Sequence, residues 1–348
     1  MKKRTTTSRK RDHVELTVKK DVAFRSKSAG FEEWEFVHNA LPEIDLADVD
    51  SSTLFLGKQL SLPLMVSCMT GGYPEAEMIN RQLAEVCEEF HLAMGVGSQR
   101  QAMENSLYHR SFSVARKTAP SIPLVGNIGA PEIAKLKDAS PVLKLAELIG
   151  ADAFAVHLNP LQEFLQPEGN TNFSGVLNGI EMLVRKMPVP IIVKEIGAGI
   201  SSAVAERLLN VGVRYIDVAG AGGTSWAGVE ILRKKKEEQK EWNPFWDWGI
   251  RTTDALVDLE PLKKRFPELT IIASGGITNG LDAAKAIALG AEMTASARPL
   301  LKVLMIGGKK DLQKKIEQWK MEFRGTMFLT GSATIQQLKD NRALQQRR

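Results

Sequence analysis

Eight short apolar segments of this sequence each end in polar side chains or glycine. A purely structural set of segment ends would be more apolar and more varied. We therefore interpret these ends as one shared ligand site. In chain order they are Thr70-Gly71-Gly72, Gly97-Ser98-Gln99-Arg100, Asn127, His157-Leu158-Asn159, Lys194-Glu195, 220–225, Ser274-Gly275-Gly276 and Ser296-Ala297-Arg298.

The seventh and eighth ends predict a phosphate site. Gly275 and Gly276 follow one segment, and Ala297 and Arg298 follow the next. Glycine lets the backbone approach a phosphate closely, and free N–H groups at the start of a helix donate to it. A glycine pair that only ends a strand is the alternative if either end is taken alone.

Lys194 ends a segment whose other residues, 191–193, are all apolar. A lysine directed into a binding site needs an anionic partner, because burial of an unpaired ammonium is costly. It can lie against the N1 and O2 side of a reduced flavin, form a Schiff base, or pair with Glu195. The small surfaces of Gly71 and Ser98 suit a flat ring and favour the flavin.

The segment 157–163 combines a histidine, amides and a carboxylate in one short span. Glu163 offers a ligand to Mg²⁺, which can chelate a diphosphate while using few protein ligands. His157 and Asn159 can donate to phosphate oxygens. The alternative is an ordinary hydrogen-bonded histidine followed by a loop glutamate.

The composition favours small anionic ligands over nucleic acids and membranes. The formal net charge is +5, but runs of charge are more often solvated surface than binding sites, and no nucleic-acid module is recognisable. No apolar run approaches the roughly 20 residues of a membrane helix, and the basic N-terminus lacks the apolar stretch of a secretory signal. The two cysteines, Cys68 and Cys87, argue against a disulfide framework and for a reducing cytoplasm.

The apolar segments predict parallel strands, because they are rich in Val, Ile and Ala without alternation. Helical patterns with apolar residues three and four apart separate them. Eight such units predict an α/β fold, the (β/α)₈ barrel, whose sites lie at the carboxyl ends of the strands. A doubly wound sheet alternates similarly, but its GxGxxG fingerprint is absent. The predicted strands are 64–69, 93–97, 124–128, 153–158, 191–196, 215–218, 271–274 and 293–297, and the predicted helices are 78–90, 142–149, 201–211 and 281–289.

Three segments lie outside this repeat. Residues 222–253 form a long insertion after the sixth strand and are predicted to be a lid or a partner contact. They include the aromatic cluster Trp242, Phe245, Trp246 and Trp248. Residues 312–330 predict an amphipathic C-terminal helix. Residues 9–50 lack strand–helix rhythm and are predicted to wrap the barrel. We therefore predict a basic extension, 1–50, packed on one barrel domain, 51–348.

The order of the motifs resembles that of the FMN-dependent type 2 isopentenyl-diphosphate isomerases over residues 9 to about 338. The motifs are RKxxH (Arg9, Lys10, His13), MTGG (69–72), GSQ (97–99), HLNxxQE (157–163), KE (194–195), GGT (222–224) and SGG (274–276). Arg100 and Trp226 stand where family members vary, so the role of Arg100 is less certain and none is assigned to Trp226.

The resemblance implies an FMN-linked barrel and assigns the site residues. The flavin contacts implied are Met69, Thr70, Gly71, Ser98, Asn127, Lys194 and Thr224, with the phosphate on Gly275, Gly276, Ala297 and Arg298. The substrate contacts implied are Arg9, Lys10, His13, Arg100, His157, Asn159 and Gln162, with Mg²⁺ on Glu163.

The implied reaction interconverts isopentenyl and dimethylallyl diphosphate, in isoprenoid biosynthesis, by allylic proton transfer without net redox change. No side chain is an obvious strong acid for an alkene, so reduced FMN is expected to carry the proton, with Gln162 beside the reacting carbons. NADPH is the expected reductant, and the resemblance is compatible with a homo-oligomer, a tetramer or an octamer. A flavin-dependent 2-hydroxy-acid oxidase is the alternative, but the loops after strands six and seven lack its histidine and arginine.

Overall fold

Eight parallel strands pair side by side in the computed structural model, which describes residues 6–347 and the side chains of 10–347. Strands β4 to β11 follow one another around the barrel, and β11 pairs with β4 to close it. The predicted (β/α)₈ barrel is therefore confirmed. The strands are β1 (Trp34–Phe36), β2 (Thr53–Phe55), β3 (Lys58–Leu60), β4 (Leu64–Val66), β5 (Ala93–Gly95), β6 (Leu124–Gly129), β7 (Ala153–His157), β8 (Ile191–Lys194), β9 (Tyr215–Asp217), β10 (Thr270–Ser274), β11 (Met293–Ser296) and β12 (Leu344–Gln346).

Inward side chains fill the barrel from its amino end. Met65, Val125, Ile192 and Ile272 form a buried cluster there, together with Phe55 of the β2–β3 hairpin. The hairpin covers the amino end of the barrel, while the strands end in polar residues at the other end. Several observed strands end a few residues before their predicted carboxyl-terminal bounds. At these points the chain leaves the backbone hydrogen bonding between strands and lines the carboxyl end of the barrel.

The helices pack an apolar face on the outside of the barrel, as their three- and four-residue spacing predicts. The four predicted helices are present within two residues of their predicted bounds. The helices are α1 (Thr6–Lys19), α2 (Ala76–Glu89), α3 (Arg100–Glu104), α4 (His109–Thr118), α5 (Ala130–Ile133), α6 (Ser140–Ile149), α7 (Pro160–Leu165), α8 (Val176–Lys186), α9 (Ser202–Asn210), α10 (Trp226–Leu232), α11 (Lys236–Trp242), α12 (Thr252–Leu259), α13 (Gly280–Ala288), α14 (Arg298–Leu329) and α15 (Ile335–Asp340).

Helix α1 lies mostly within residues 9–50, a segment in which the sequence shows no strand–helix rhythm and predicted no helix. Its sequence is polar and basic and has little amphipathic character, so its helical period is weak. Contacts with the barrel stabilise it instead: Val14 and Thr17 are buried, and the Arg298 Nε donates to the Thr17 carbonyl at 2.8 Å. The predicted C-terminal helix is also longer than expected, because α14 begins at residue 298 and bends at Gly308.

The long insertion contains α10 and α11 and forms hydrogen bonds with the N-terminal segment, residues 23–26. The indole Nε1 of Trp246 donates to the Ala23 carbonyl at 2.9 Å, and the Asp247 carboxylate accepts from the Ser26 hydroxyl at 2.6 Å. The guanidinium of Arg25 stacks over the Trp246 ring at 3.6 Å. These two segments therefore cover the same side of the barrel mouth. Across residues 6–347, no helix combines the length and apolar character required to cross a membrane.

Candidate active site

A cavity of about 350 Å³ opens at the carboxyl ends of the barrel strands. This volume lies within the range of small-molecule sites, roughly 300 to 1,000 Å³. Most of the predicted site residues line it, although they come from eight strands and from α1. The predicted residues in its wall are Lys10, His13, Met69, Ser98, Arg100, Asn127, His157, Asn159, Gln162, Glu163, Lys194, Thr224, Gly275, Gly276, Ala297 and Arg298.

Thr70, Gly71 and Arg9 are the predicted residues that the structure does not place in the cavity wall. The Thr70 hydroxyl donates instead to the buried Asn80 side chain of α2. Gly71 lies against the Phe112 ring, where a Cβ atom would come within 2.1 Å of it. The side chain of Arg9 lies outside the described residues.

The predicted phosphate corner lies between the ends of β10 and β11. Gly275 and Gly276 have φ angles of 96° and 77°, a region that favours glycine. The Ser296 hydroxyl donates to the Ile277 carbonyl at 2.9 Å and ties the two strand ends together. Helix α14 begins directly after Ala297, so its first N–H groups face this corner without helical partners. The corner can therefore hold an anion.

Arg298 lines the cavity but is already engaged with α1. Its Nε donates to the Thr17 carbonyl at 2.8 Å, and one terminal nitrogen donates to the Lys20 carbonyl at 3.1 Å. Thr17 lies in the last turn of α1, where carbonyl groups lack helical partners, and Lys20 directly follows the helix. The structure thus shows that Arg298, besides lining the cavity, binds the end of α1, a contact that the sequence did not predict.

Lys194 is buried at the floor of the cavity, beside Asp217. Its Nζ lies 3.3 Å from Asp217 Oδ2 and donates to the Glu195 carbonyl oxygen at 2.5 Å. The Glu195 carboxylate turns away and accepts from three backbone N–H groups, those of residues 196–198. The suggested pairing of Lys194 with the Glu195 carboxylate is therefore wrong, because that carboxylate is occupied by backbone donors. Sequence analysis missed Asp217.

The wall formed by 157–163 presents polar groups along one short stretch. His157 Nδ1 lies 2.8 Å from Asn127 Oδ1, which orients the ring. The Asn159 amide nitrogen donates to the Gln162 side-chain oxygen at 3.1 Å and to Glu163 Oε1 at 2.9 Å. Asn159 Oδ1 is buried and accepts no hydrogen bond within residues 10–347. This wall can therefore take a further polar ligand or a cation.

Glu230 of α10 is a buried carboxylate that sequence analysis missed. It accepts from the Gln162 side-chain nitrogen at 3.1 Å, lies 2.9 Å from His13 Nε2 and pairs with Arg233. Burial raises the pKa of Glu230, but His13 and Arg233 outweigh burial and hold the pKa below its usual value. The only local signal was an acidic residue within the mostly apolar stretch 226–232.

Two cations at the mouth are held by protein groups. Lys10 Nζ donates to the Ser98 carbonyl at 2.6 Å and lies over the Phe112 ring. Arg100 pairs with Glu132 and with Glu104, both at 3.1 Å. Since both side chains line the cavity, both are available to an anionic ligand that replaces these contacts.

Neither cysteine is expected to react with an alkylating reagent in the folded protein. Cys87 is fully buried, whereas Cys68 is half-buried and lines the cavity; burial raises the pKa of both thiols, that of Cys68 to about 11. The thiolate is the reactive form of cysteine. We therefore expect iodoacetamide to modify fewer than about one in ten thiols of the folded protein at pH 8, and to modify both cysteines after unfolding in urea. Mass spectrometry after timed iodoacetamide treatment measures this, and rapid labelling of Cys68 in the native protein would contradict it.

Comparisons with known proteins identify the family to which the chain belongs. A family model described as FMN-dependent dehydrogenase matches residues 2–111 and 151–345. An isopentenyl-diphosphate delta-isomerase of Pelodictyon phaeoclathratiforme is 48% identical over 344 residues, which cover 96% of each chain. One from Nostoc sp. is 44% identical and covers 98% of this chain and 96% of the relative. The chain belongs to the isopentenyl-diphosphate delta-isomerase family. The family resemblance derived from the motifs is therefore confirmed.

Solved structures share the barrel of this isomerase family at low sequence identity. The flavin-binding domain of baker's yeast flavocytochrome b2 has a TM-score of 0.69 at 19% identity, and the match covers 93% of this chain and 79% of that one. A mandelate oxidase mutant has a TM-score of 0.64 at 16% identity, with coverage of 95% and 94%. These likenesses concern the fold alone.

Proposed function

We propose that this chain interconverts isopentenyl diphosphate and dimethylallyl diphosphate by an allylic proton transfer that requires reduced FMN. The observation that carries the proposal is the convergence of the family's motif residues on one cavity. They supply a glycine-rich phosphate corner, a buried lysine and a polar wall on adjacent strand ends. The near full-length identity to named isomerases supports the same reaction.

The cavity fits FMN on three counts. Gly275 and Gly276 offer backbone N–H groups beside the start of α14, which suits a phosphate. Lys194 offers a buried ammonium for the N1 and O2 side of the ring. Ser98 and Thr224 supply small surfaces in the wall. When bound and reduced, FMN would supply the proton donor for the alkene, since no side chain of the wall is an obvious strong acid.

The residues of the chain bind and orient the substrate. Lys10, Arg100 and His157 form the cationic side of the cavity and are proposed to hold the diphosphate. Gln162 is proposed to lie along the hydrocarbon part, since Asn159 and Glu230 fix both ends of its amide. In the net reaction one carbon gains a proton and another loses one, so no electrons are consumed.

Glu163 and Asn159 are proposed to hold Mg²⁺ on the diphosphate. Within residues 6–347 there is no cluster of three or more acidic, histidine or cysteine ligands. A Mg²⁺ ion that uses one carboxylate, one amide oxygen and the diphosphate itself suits this arrangement, because Mg²⁺ is often bound mainly by substrate phosphates. The unpartnered Asn159 Oδ1 beside Glu163 supports it.

Substitution of Glu163 by glutamine is expected to raise the Mg²⁺ concentration for half-maximal activity by at least about tenfold. The carboxylate charge is lost, and the single amide oxygen of glutamine can accept from only one of the two donors, the Asn159 side-chain nitrogen or the Asn170 N–H. Affinity for FMN is expected to stay unchanged in a fluorescence titration. Glu168→Gln, a nearby substitution outside the cavity wall, is the matched control, and an unaltered Mg²⁺ requirement in Glu163→Gln would contradict this role.

We further propose NADPH as the reductant, a homo-oligomeric assembly and a cytoplasmic location. Anaerobic addition of NADPH is expected to bleach the absorption of bound FMN, and light scattering reports the mass of the assembly.

The function itself is tested by anaerobic turnover of isopentenyl diphosphate with FMN, Mg²⁺ and NADPH, each omitted in turn. Product that forms equally well without FMN would contradict the proposal.

A further inference from the structure

Asp217 and Lys194 end neighbouring strands and lie directly opposite one another. Lys194 is the last residue of β8 and Asp217 the last of β9, and the two are register partners in the parallel ladder. Their charged atoms, Lys194 Nζ and Asp217 Oδ2, lie 3.3 Å apart. We propose that Asp217 is a positioning residue that fixes the Lys194 ammonium where it would meet the N1 and O2 side of the flavin ring, and that it offsets the charge of this ammonium. This inference rests on the proposed use of FMN.

Asp217 is fully buried and does not belong to the cavity wall. Its Oδ1 accepts from the Ser274 hydroxyl at 2.5 Å and from the Ala219 N–H at 3.2 Å. Ser274 ends β10, the next strand of the barrel. Three successive strands therefore end in a connected lysine, aspartate and serine, and only the lysine and the serine face the cavity.

Lys194 combines one hydrogen bond with one ion pair. An ammonium has three N–H groups and no acceptor. The Glu195 carbonyl oxygen accepts from one of them at 2.5 Å, whereas Asp217 Oδ2, at 3.3 Å, pairs with the charge without a hydrogen bond. Because Lys194 lines the cavity, its remaining N–H groups can donate to an acceptor there. The pair therefore sets the direction of the ammonium as well as its place.

Asp217 also lowers the positive electrostatic potential that Lys194 creates in the cavity. A lone buried ammonium would favour the anionic form of a reduced flavin strongly, since charges interact strongly where water is excluded. A carboxylate at 3.3 Å offsets most of that field at the ring. The pair thus stabilises a bound anion less than Lys194 alone would, and it favours retention of the proton at N1 of the reduced ring.

Photoreduction of holoprotein variants tests this directly. In Asp217→Asn, the affinity for reduced FMN relative to oxidised FMN is expected to rise at least about tenfold, which corresponds to about 30 mV in a two-electron potential. The pKa of reduced FMN N1, read from ultraviolet–visible spectra against pH, is expected to fall. Lys194→Met shifts both quantities in the opposite direction. The double variant is expected to match Lys194→Met, because a buried carboxylate without its ammonium partner takes up a proton and loses its charge, so that its removal then changes little.

Asp152→Asn is the matched control, because Asp152 pairs with Lys58 and Arg116 just before β7, at the amino end of the barrel. It is expected to lower stability without changing the potential. If Asp217→Asn does not fold, Ser274→Ala removes a donor from Asp217, strengthens its pairing with Lys194, and is expected to lower the relative affinity for reduced FMN at least twofold. Ser274→Ala is expected to have no such effect in the Lys194→Met background.

An unchanged potential in a folded Asp217→Asn variant, or fully additive shifts in the double variant, would overturn the inference. If Asp217→Asn does not fold, an unchanged affinity ratio in Ser274→Ala would do the same. A wild-type protein that binds no FMN would instead contradict the proposed function, so the two failures are distinguishable.

Discussion

Replacement of Glu230 by glutamine is expected to lower kcat by about 100-fold, the cost of a misplaced group at an active site. The carboxylate fixes the Gln162 amide, and glutamine in its place presents a competing donor to that nitrogen. The effect is expected on kcat more than on KM, since the cations proposed to hold the diphosphate remain. Steady-state kinetics of the reconstituted enzyme measure both constants.

Glu168→Gln is the matched control for Glu230→Gln. Glu168 pairs with the same Arg233 side chain at 2.7 Å, but it is partly exposed and lies outside the cavity wall. It is expected to leave kcat within about twofold of wild type, as is usual for exposed ion pairs. Equal losses in the two variants would show that Arg233, and not the position of Gln162, is responsible.

The stability contributed by Glu230 is expected to depend on pH in a defined direction. The pKa of Glu230 is lower in the folded protein than its ordinary value of 4.5. Its contribution is therefore fully present above pH 4.5 and is lost as the pH falls through the folded pKa. Urea unfolding is expected to show wild type more stable than Glu230→Gln at pH 7, with the difference shrinking below pH 4.5. A difference that grows on acidification would contradict this assignment.

Substitution of Gly275 by alanine is expected to weaken FMN binding by at least about 100-fold, or about 2.7 kcal/mol. Gly275 has a φ of 96°, and a Cβ atom there would lie 2.1 Å from the Gly220 carbonyl oxygen. The Gly220 carbonyl is a backbone group and cannot rotate aside as a side chain would, so relief of the clash must move the loop of the proposed phosphate corner. Titration of the apoprotein with FMN measures the change.

Gly57→Ala is the control for the change at Gly275. Gly57 also has a left-handed φ, 75°, but a Cβ atom there would meet no atom within 4 Å. It lies in the turn between β2 and β3, at the amino end of the barrel. Its substitution is expected to cost about 1 kcal/mol of stability from backbone strain and to leave FMN affinity unchanged. Similar losses of FMN affinity in both variants would argue against the phosphate corner.

The barrel was predictable because its strands are buried on both faces. Segments such as 191–194 have no polar residue before their ends, and this pattern separates strand from loop without knowledge of the fold. Once eight such units are counted, barrel closure brings the strand ends together. The places of Lys194 and Gly275 in the cavity wall were therefore predictable from their positions in the sequence.

The residues that sequence analysis missed depend on contacts between distant segments. Asp217 is recognisable only when β8 and β9 are known to be in register. Glu230 lies on α10, within the insertion, and its partners His13 and Gln162 come from α1 and α7. Helix α1 itself is stabilised by contacts with the barrel, so its own periodicity could not predict it. The second contact of Arg298, with α1, was hidden for the same reason.

The ratio of dimethylallyl diphosphate formed to NADPH consumed tests the central claim most directly. It is measured under anaerobic conditions with FMN, Mg²⁺ and isopentenyl diphosphate, by following product and nucleotide together. The account predicts many product molecules for each NADPH, because the reductant only prepares the flavin. A ratio of one, or reduction of the bound flavin by a 2-hydroxy acid without isomerisation, would contradict it and assign the cavity to an oxidoreductase.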